Sequence, residues 1–134
     1  MKIATAPVNW NNNDVRDYRE WTPYPQLLDE MVAAGYTATE WDICMSDDVA
    51  RVQADLAKRN LDMLGRFVGL ELRNPEKREQ EIERGLEIAR FLKAIGGEYL
   101  IAADSDEGGV RAKRAMSTPP GVCLRRNGTV LVRV

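Results

Sequence analysis

The residues best suited to chemistry stand at four places along the chain: the segment Asn9-Trp10-Asn11-Asn12-Asn13-Asp14, and then Glu40, Glu71 and Asp104. Carboxamides both donate and accept hydrogen bonds, and so suit a polyhydroxylated ligand. A tryptophan beside them offers a ring face for the apolar side of a sugar, although asparagines also build turns and Trp10 could simply seal an end of the fold. Glu40 is the strongest single carboxylate candidate, with Glu71 and Asp104 completing a prospective ring. The competing readings are a solvated or salt-bridged Glu40, a loop-exposed Glu71 and an Asp104 that caps the next segment of the chain. No histidine occurs in the chain, which removes the commonest general base and transition-metal ligand. Neither a Ser-His-Asp nor a Cys-His arrangement can form, and Cys44 is expected to pack as a small hydrophobe.

Four apolar runs of strand length would position these residues: Ile3 to Val8, Tyr36 to Trp41, Leu61 to Val68, and Glu98 to Ala103. Helical patterns separate them. In the first, Leu27, Leu28, Met31 and Val32 share a face, between a start at Thr22-Pro23 and a stop at Gly35. The second is expected to be capped by Ser46, to carry Val49, Val52 and Leu56 inward, and to close at Asn60. The third is expected to begin at Asn74-Pro75, to present Ile82, Leu86, Ala89 and Leu92 as its apolar stripe, and to stop at Gly96-Gly97. Strands alternating with helices predict crossover connections and a parallel sheet, with ligands at the carboxyl ends of the strands. The glycine pairs lack phosphate-loop spacing, so a nucleotide site is not expected.

The fold class is therefore α/β: a partial (β/α)₈ barrel of about four N-terminal βα units, followed by an irregular C-terminal tail. A complete barrel needs roughly 200 to 250 residues, against 134 here. The net charge of −2 conceals an asymmetry, with a balance of −8 up to Glu107 and +6, without one acidic residue, beyond it. Residues 1–105 are expected to form the half-barrel and 106–134 an atypical basic tail. The tail is open to reading as a solvated extension, an arm for an acidic partner, or a non-native end from a shifted frame. It lacks aromatic interleaving or a binding motif, so nucleic acid is not the expected partner. No apolar run of signal or membrane length comes after Met1, and Cys44 and Cys123 have no metal-type spacing, so a cytoplasmic chain without a membrane partner is expected.

Lys2-Ile3-Ala4-Thr5-Ala6-Pro7-Val8-Asn9-Trp10 with Asn12-Asn13-Asp14, then Thr22-Pro23, Asp29-Glu30-Met31, Ala33-Ala34-Gly35-Tyr36 and Thr39-Glu40-Trp41, resembles the opening of the sugar phosphate isomerase/epimerase family of xylose isomerase-like TIM barrels. The resemblance covers about residues 2 to 105. It implies metal-assisted proton transfer next to a carbonyl of a sugar or cyclitol, giving isomerisation, epimerisation or dehydration. It also implies a divalent metal, manganese or cobalt, for the full-length family, on two glutamates, an aspartate and a histidine of the later strands. None of those ligands transfers to this chain, so no metal or other cofactor is expected within it and catalytic residues are not assigned. Asn9, Trp10 and Glu40 transfer as substrate-pocket residues. The family pattern is expected to end near residue 105 by truncation or frame change, leaving an open sheet that a homo-oligomer could close. A non-catalytic polyol-binding half-barrel and an inactive truncated product are the alternatives.

Overall fold

The computed structural model describes residues 3–12, 19–105 and 129–133. Five strands form one sheet in sequence order: β1 (Ala4–Thr5), β2 (Ala38–Trp41), β3 (Asp62–Leu70), β4 (Tyr99–Asp104) and β5 (Thr129–Arg133). The first four run parallel, linked through α1 (Tyr24–Ala33), α2 (Val49–Ala57) and α3 (Arg78–Ala94). This is the expected partial barrel architecture. Thr129–Arg133 adds a fifth strand at the edge, antiparallel to β4. Asn13, Asp14 and the basic stretch 106–128 lie outside the described residues.

The first strand is shorter than its apolar run. Pro7 has no N–H to give to a ladder, and its carbonyl instead accepts from Trp10 N at 2.8 Å and Asn11 N at 2.9 Å as the chain turns through a short 3₁₀ segment, Pro7–Asn9. α1 does start after Pro23 and stops at Gly35, whose φ of 88° suits a residue without a side chain. Leu27, Leu28 and Met31 are fully buried, but Val32 is 40% exposed, outside the narrow face that meets the sheet.

The caps of the other helices also differ from expectation. Asp48 rather than Ser46 caps α2, its Oδ1 accepting from Arg51 N at 2.8 Å, while Ser46 Oγ accepts from Asp48 N at 3.1 Å and shapes the approach. Asn74 and Pro75 form a turn of their own, with Lys77 N donating to the Asn74 carbonyl at 3.2 Å, and α3 begins only at Arg78. On α3 the expected stripe is rotated. Gly85 and Leu92 are buried, whereas Ile82 and Leu86 are 48% and 46% exposed. A Cβ at Gly85 would lie 3.3 Å from Leu70 Cδ1, so the missing side chain lets the helix approach β3 at that point. At 3.6 residues per turn Ile82 and Leu86 then fall roughly 60° and 100° to one side of the contact line.

All the helices pack on one face of the sheet. There Trp41 of β2 meets Phe91 of α3 edge to face, ring centroids 5.6 Å apart, and the Arg66 guanidinium of β3 lies 3.9 Å above the Trp41 ring. Met63, Val68, Leu70 and Leu100 complete this side of the core. Arg59, just beyond α2, ties α2 to α1: its Nε donates to Asp29 Oδ1 at 2.7 Å and its Nη2 to the Pro25 carbonyl at 3.1 Å. Among the described residues no helix is long and apolar enough to cross a membrane.

The rotation of α3 has a measurable consequence. Leu92→Ala is expected to cost about 2–5 kcal/mol through loss of a fully buried side chain, while Leu86→Ser is expected to stay within about 0.5 kcal/mol, both read by urea denaturation. Equal costs would mean that the apolar stripe packs as the sequence periodicity suggests.

Candidate functional site

Four parallel strands carry their following loops to the same end of the sheet, which brings Asn9, Trp10 and Asn11 after β1 to the end where Glu40 stands next to last in β2. Asn11 is the best-anchored residue of this edge. It is 1% exposed, its Nδ2 donates to the Thr22 carbonyl at 3.0 Å, and its Oδ1 accepts from Thr22 N at 2.8 Å. This reciprocal clamp satisfies both ends of a buried carboxamide and fixes where the loop returns to α1. By sequence Asn11 stands among ligand-type carboxamides; nothing in the spacing distinguishes an asparagine that binds its own backbone from one that binds a ligand.

The neighbours of Asn11 have separate attachments. Asn9 is exposed, and its Nδ2 donates to Thr5 Oγ1 at 2.9 Å. Trp10 is partly buried against the core; its Nε1 donates to Glu30 Oε2 on α1 at 2.7 Å, and its carbonyl accepts from Arg19. The ring is thereby held in one orientation.

Glu40 lies on the opposite face of β2 from the buried Trp41 and is half-buried. Among the described residues no hydrogen bond or ion pair reaches its carboxylate. Burial pushes its pKa up, and the charge of Asp42 adds to the rise. Cys44, packed at the margin of the core, is also raised by burial, against the opposing effect of a hydrogen bond with Asn11.

The prospective ring of carboxylates does not come together. Glu71 pairs with Lys77 at 2.8 Å, and Asp104 pairs with Arg73. Each acid is neutralised at its own strand end by a cation from the β3–α3 connection. Among the described residues no group of three or more histidine, cysteine, aspartate or glutamate side chains is placed to hold a metal ion. The donor set among the described residues does not fit a divalent metal.

Two residues that sequence reasoning did not single out share the face of Glu40. Gly65 pairs with Glu40 across the β2–β3 ladder and with Tyr99 across β3–β4, while Phe67, one pleat further along β3, pairs with Ile101. Phe67 is 57% exposed in mid-strand although its neighbour Val68 is 5% exposed. The signal was present as alternation within Arg66-Phe67-Val68, but only the helix positions decide which alternate face is covered. A hollow of about 460 Å³ lies at the opposite strand ends, lined by Leu56, Leu61, Asp62 and Ile95 among others, away from Glu40.

The comparisons with known proteins agree with this architecture. No protein-family model matches the chain. It is 27% identical over 104 residues to the inosose dehydratase of Geobacillus kaustophilus, an alignment covering 78% of this chain and 34% of the relative. The inosose dehydratase of Clostridium botulinum is 28% identical over 119 residues, covering 89% and 39% respectively. Among solved structures, a xylose isomerase-like TIM barrel/4-hydroxyphenylpyruvate dioxygenase fusion protein superposes with a TM-score of 0.61 at 13% identity, covering 80% of this chain and 17% of that one. The expected resemblance is thus borne out, in sequence to inosose dehydratases and in fold to a xylose isomerase-like barrel, and the chain spans between a third and two fifths of the length of these curated relatives.

The site yields two measurable outcomes. A carboxylate whose folded pKa is raised destabilises the fold while it is ionised, so this cost is fully present above the folded pKa and absent below the unfolded one. Glu40→Gln should therefore raise the melting temperature at pH 7, with the gain vanishing as the pH falls through the carboxylate range; a loss at pH 7 would show that the charge is compensated. Asn11→Ala should cost about 1–3 kcal/mol by leaving the backbone of Thr22 without its partner. Urea denaturation of that variant reads the cost directly.

Proposed function

We propose that this chain, related over most of its length to inosose dehydratases and built as the N-terminal part of a xylose isomerase-like barrel, forms the substrate-binding wall of a sugar- or cyclitol-processing site. The observation that carries the reading is Glu40: a half-buried carboxylate at a strand's carboxyl end, without a hydrogen-bonding partner among the described residues. Leaving such a group unsatisfied costs free energy unless a ligand or water completes it. Vicinal hydroxyls are suitable donors to a carboxylate. They can also accept from its protonated form, which burial favours.

Asn9 and Trp10 belong to the same wall. With the Asn9 amide nitrogen engaged by Thr5, its Oδ1 is the atom left for a ligand hydroxyl. Trp10, its indole nitrogen held by Glu30, contributes the exposed part of its ring as a border. The chemistry consistent with this kinship is proton transfer next to a carbonyl of a keto-sugar or keto-cyclitol, leading to isomerisation, epimerisation or dehydration. Glu40 is the group here able to hold a proton near such a centre. A divalent metal in the complete family would polarise the carbonyl, but the described residues of this wall supply no ligand set for it. Binding is accordingly assigned to this chain, and turnover to an assembly that supplies the rest. A second copy covering the open sheet is the partner proposed for it.

The test is a titration of the isotopically labelled chain with inosose, followed by amide and indole NMR signals. Shifts centred on Asn9, Trp10 and Glu40, weakened about tenfold or more in Glu40→Gln by loss of a charge-assisted contact, are the expected result. Shifts confined to other surfaces, or none, would falsify the assignment.

A further inference from the structure

Resting on the same site, we propose that Phe67 is the stacking platform for the ring of the bound polyol, and that the side-chain-free position at Gly65 makes the space the ring occupies beside Glu40. A phenylalanine in the middle of a five-stranded sheet, between half-buried Arg66 and buried Val68 yet itself 57% exposed, is a large apolar surface that the described residues leave largely uncovered. Its position relative to the carboxylate is set by register. Glu40 stands directly beside Gly65, and Phe67 is two residues further along the same strand, on the same face. Diagonal neighbours of this kind sit roughly 7–8 Å apart at the backbone, within reach of an aromatic and a long side chain.

The β3 position paired with Glu40 carries no side chain. Gly65 cannot acquire one, because a Cβ there would come within 2.3 Å of the Tyr99 carbonyl oxygen and 3.3 Å of the Tyr99 Cβ. The close approach of β3 to β4 thus keeps the floor beside Glu40 open. Tyr99 bounds that floor on the far side. A carboxylate, an open backbone floor and an aromatic face together match a six-membered ring with hydroxyls on its edge and C–H bonds on its face. The hydroxyls meet Glu40 and the C–H face lies on Phe67. A planar aromatic ligand would use Phe67 but not the carboxylate, and a small acid would be repelled by it.

The experiment is saturation-transfer-difference NMR on the full chain with myo-inositol as the probe, irradiating the aromatic protein signals, for the parent chain, Phe67→Leu and Glu40→Gln. Sedimentation is measured in parallel on the parent chain and on Phe67→Ser. The expected result is transfer to the ring C–H protons in the parent chain and binding weakened roughly three- to tenfold in Phe67→Leu, the range of an aromatic contact. The Phe67→Leu melting temperature should be unchanged. Binding that is lost in Glu40→Gln but unaffected in Phe67→Leu overturns the platform while leaving the Glu40 assignment standing. No binding by the parent chain overturns both. Dissociation of a dimer by Phe67→Ser, with Phe67→Leu binding unaffected, assigns the residue to the contact between copies and overturns the platform as well.

Discussion

A strand can be followed by a parallel neighbour only if the chain crosses back over a face of the sheet, and here all three crossovers are helices that use the same face. That constraint determines nearly everything else in the molecule. It concentrates Leu27, Leu28, Met31, Val52, Leu56 and Leu92 on one side, where their burial stabilises the fold. It also leaves Glu40 and Phe67 on the other side, where the fold has no further layer among the described residues. The separation of the packed core residues from Glu40 and Phe67 arises because alternate residues of the same strands point opposite ways.

Much of the fold was legible in the sequence because its signals are local. Strand-length apolar runs, a proline start and a glycine stop each depend on a few adjacent residues, and the four parallel strands and three helices appear where those signals lie. The illegible part depends on contacts between elements. The rotation of α3 is set by Gly85 against Leu70, a pairing between residues 15 apart in sequence that helical periodicity cannot contain. Likewise Asp48 rather than Ser46 caps α2 because Asp48, in extended backbone, stands immediately before the first turn.

The candidate site was legible to a different degree. Residue type and strand-end position point to Glu40 and the loop after β1, since both can be inferred from where strands stop. The fates of Glu71 and Asp104 turned on whether a lysine or an arginine nearby would reach them, and both cations come from the irregular segment before α3. Asn11 and Phe67 show the same limit from opposite directions. A residue of ligand type is consumed by its own backbone, and one of core type is left uncovered.

The order of the strands in the sheet is the order in the chain, so each strand pairs only with its sequence neighbours. In a closed barrel the first and last strands meet, and loosening any unit is felt around the ring. An open series of this kind has two ends and behaves like a short stack of repeats, with stability passed between adjacent units. Cooperativity is then graded along the molecule: β1, two residues long and joined to one neighbour, is the natural place for opening to begin, and β3, the longest strand and paired along both edges, is where it stops. Glu40 sits one strand in from the weaker end, so occupation of its carboxylate would tighten the part of the sheet that has least to hold it.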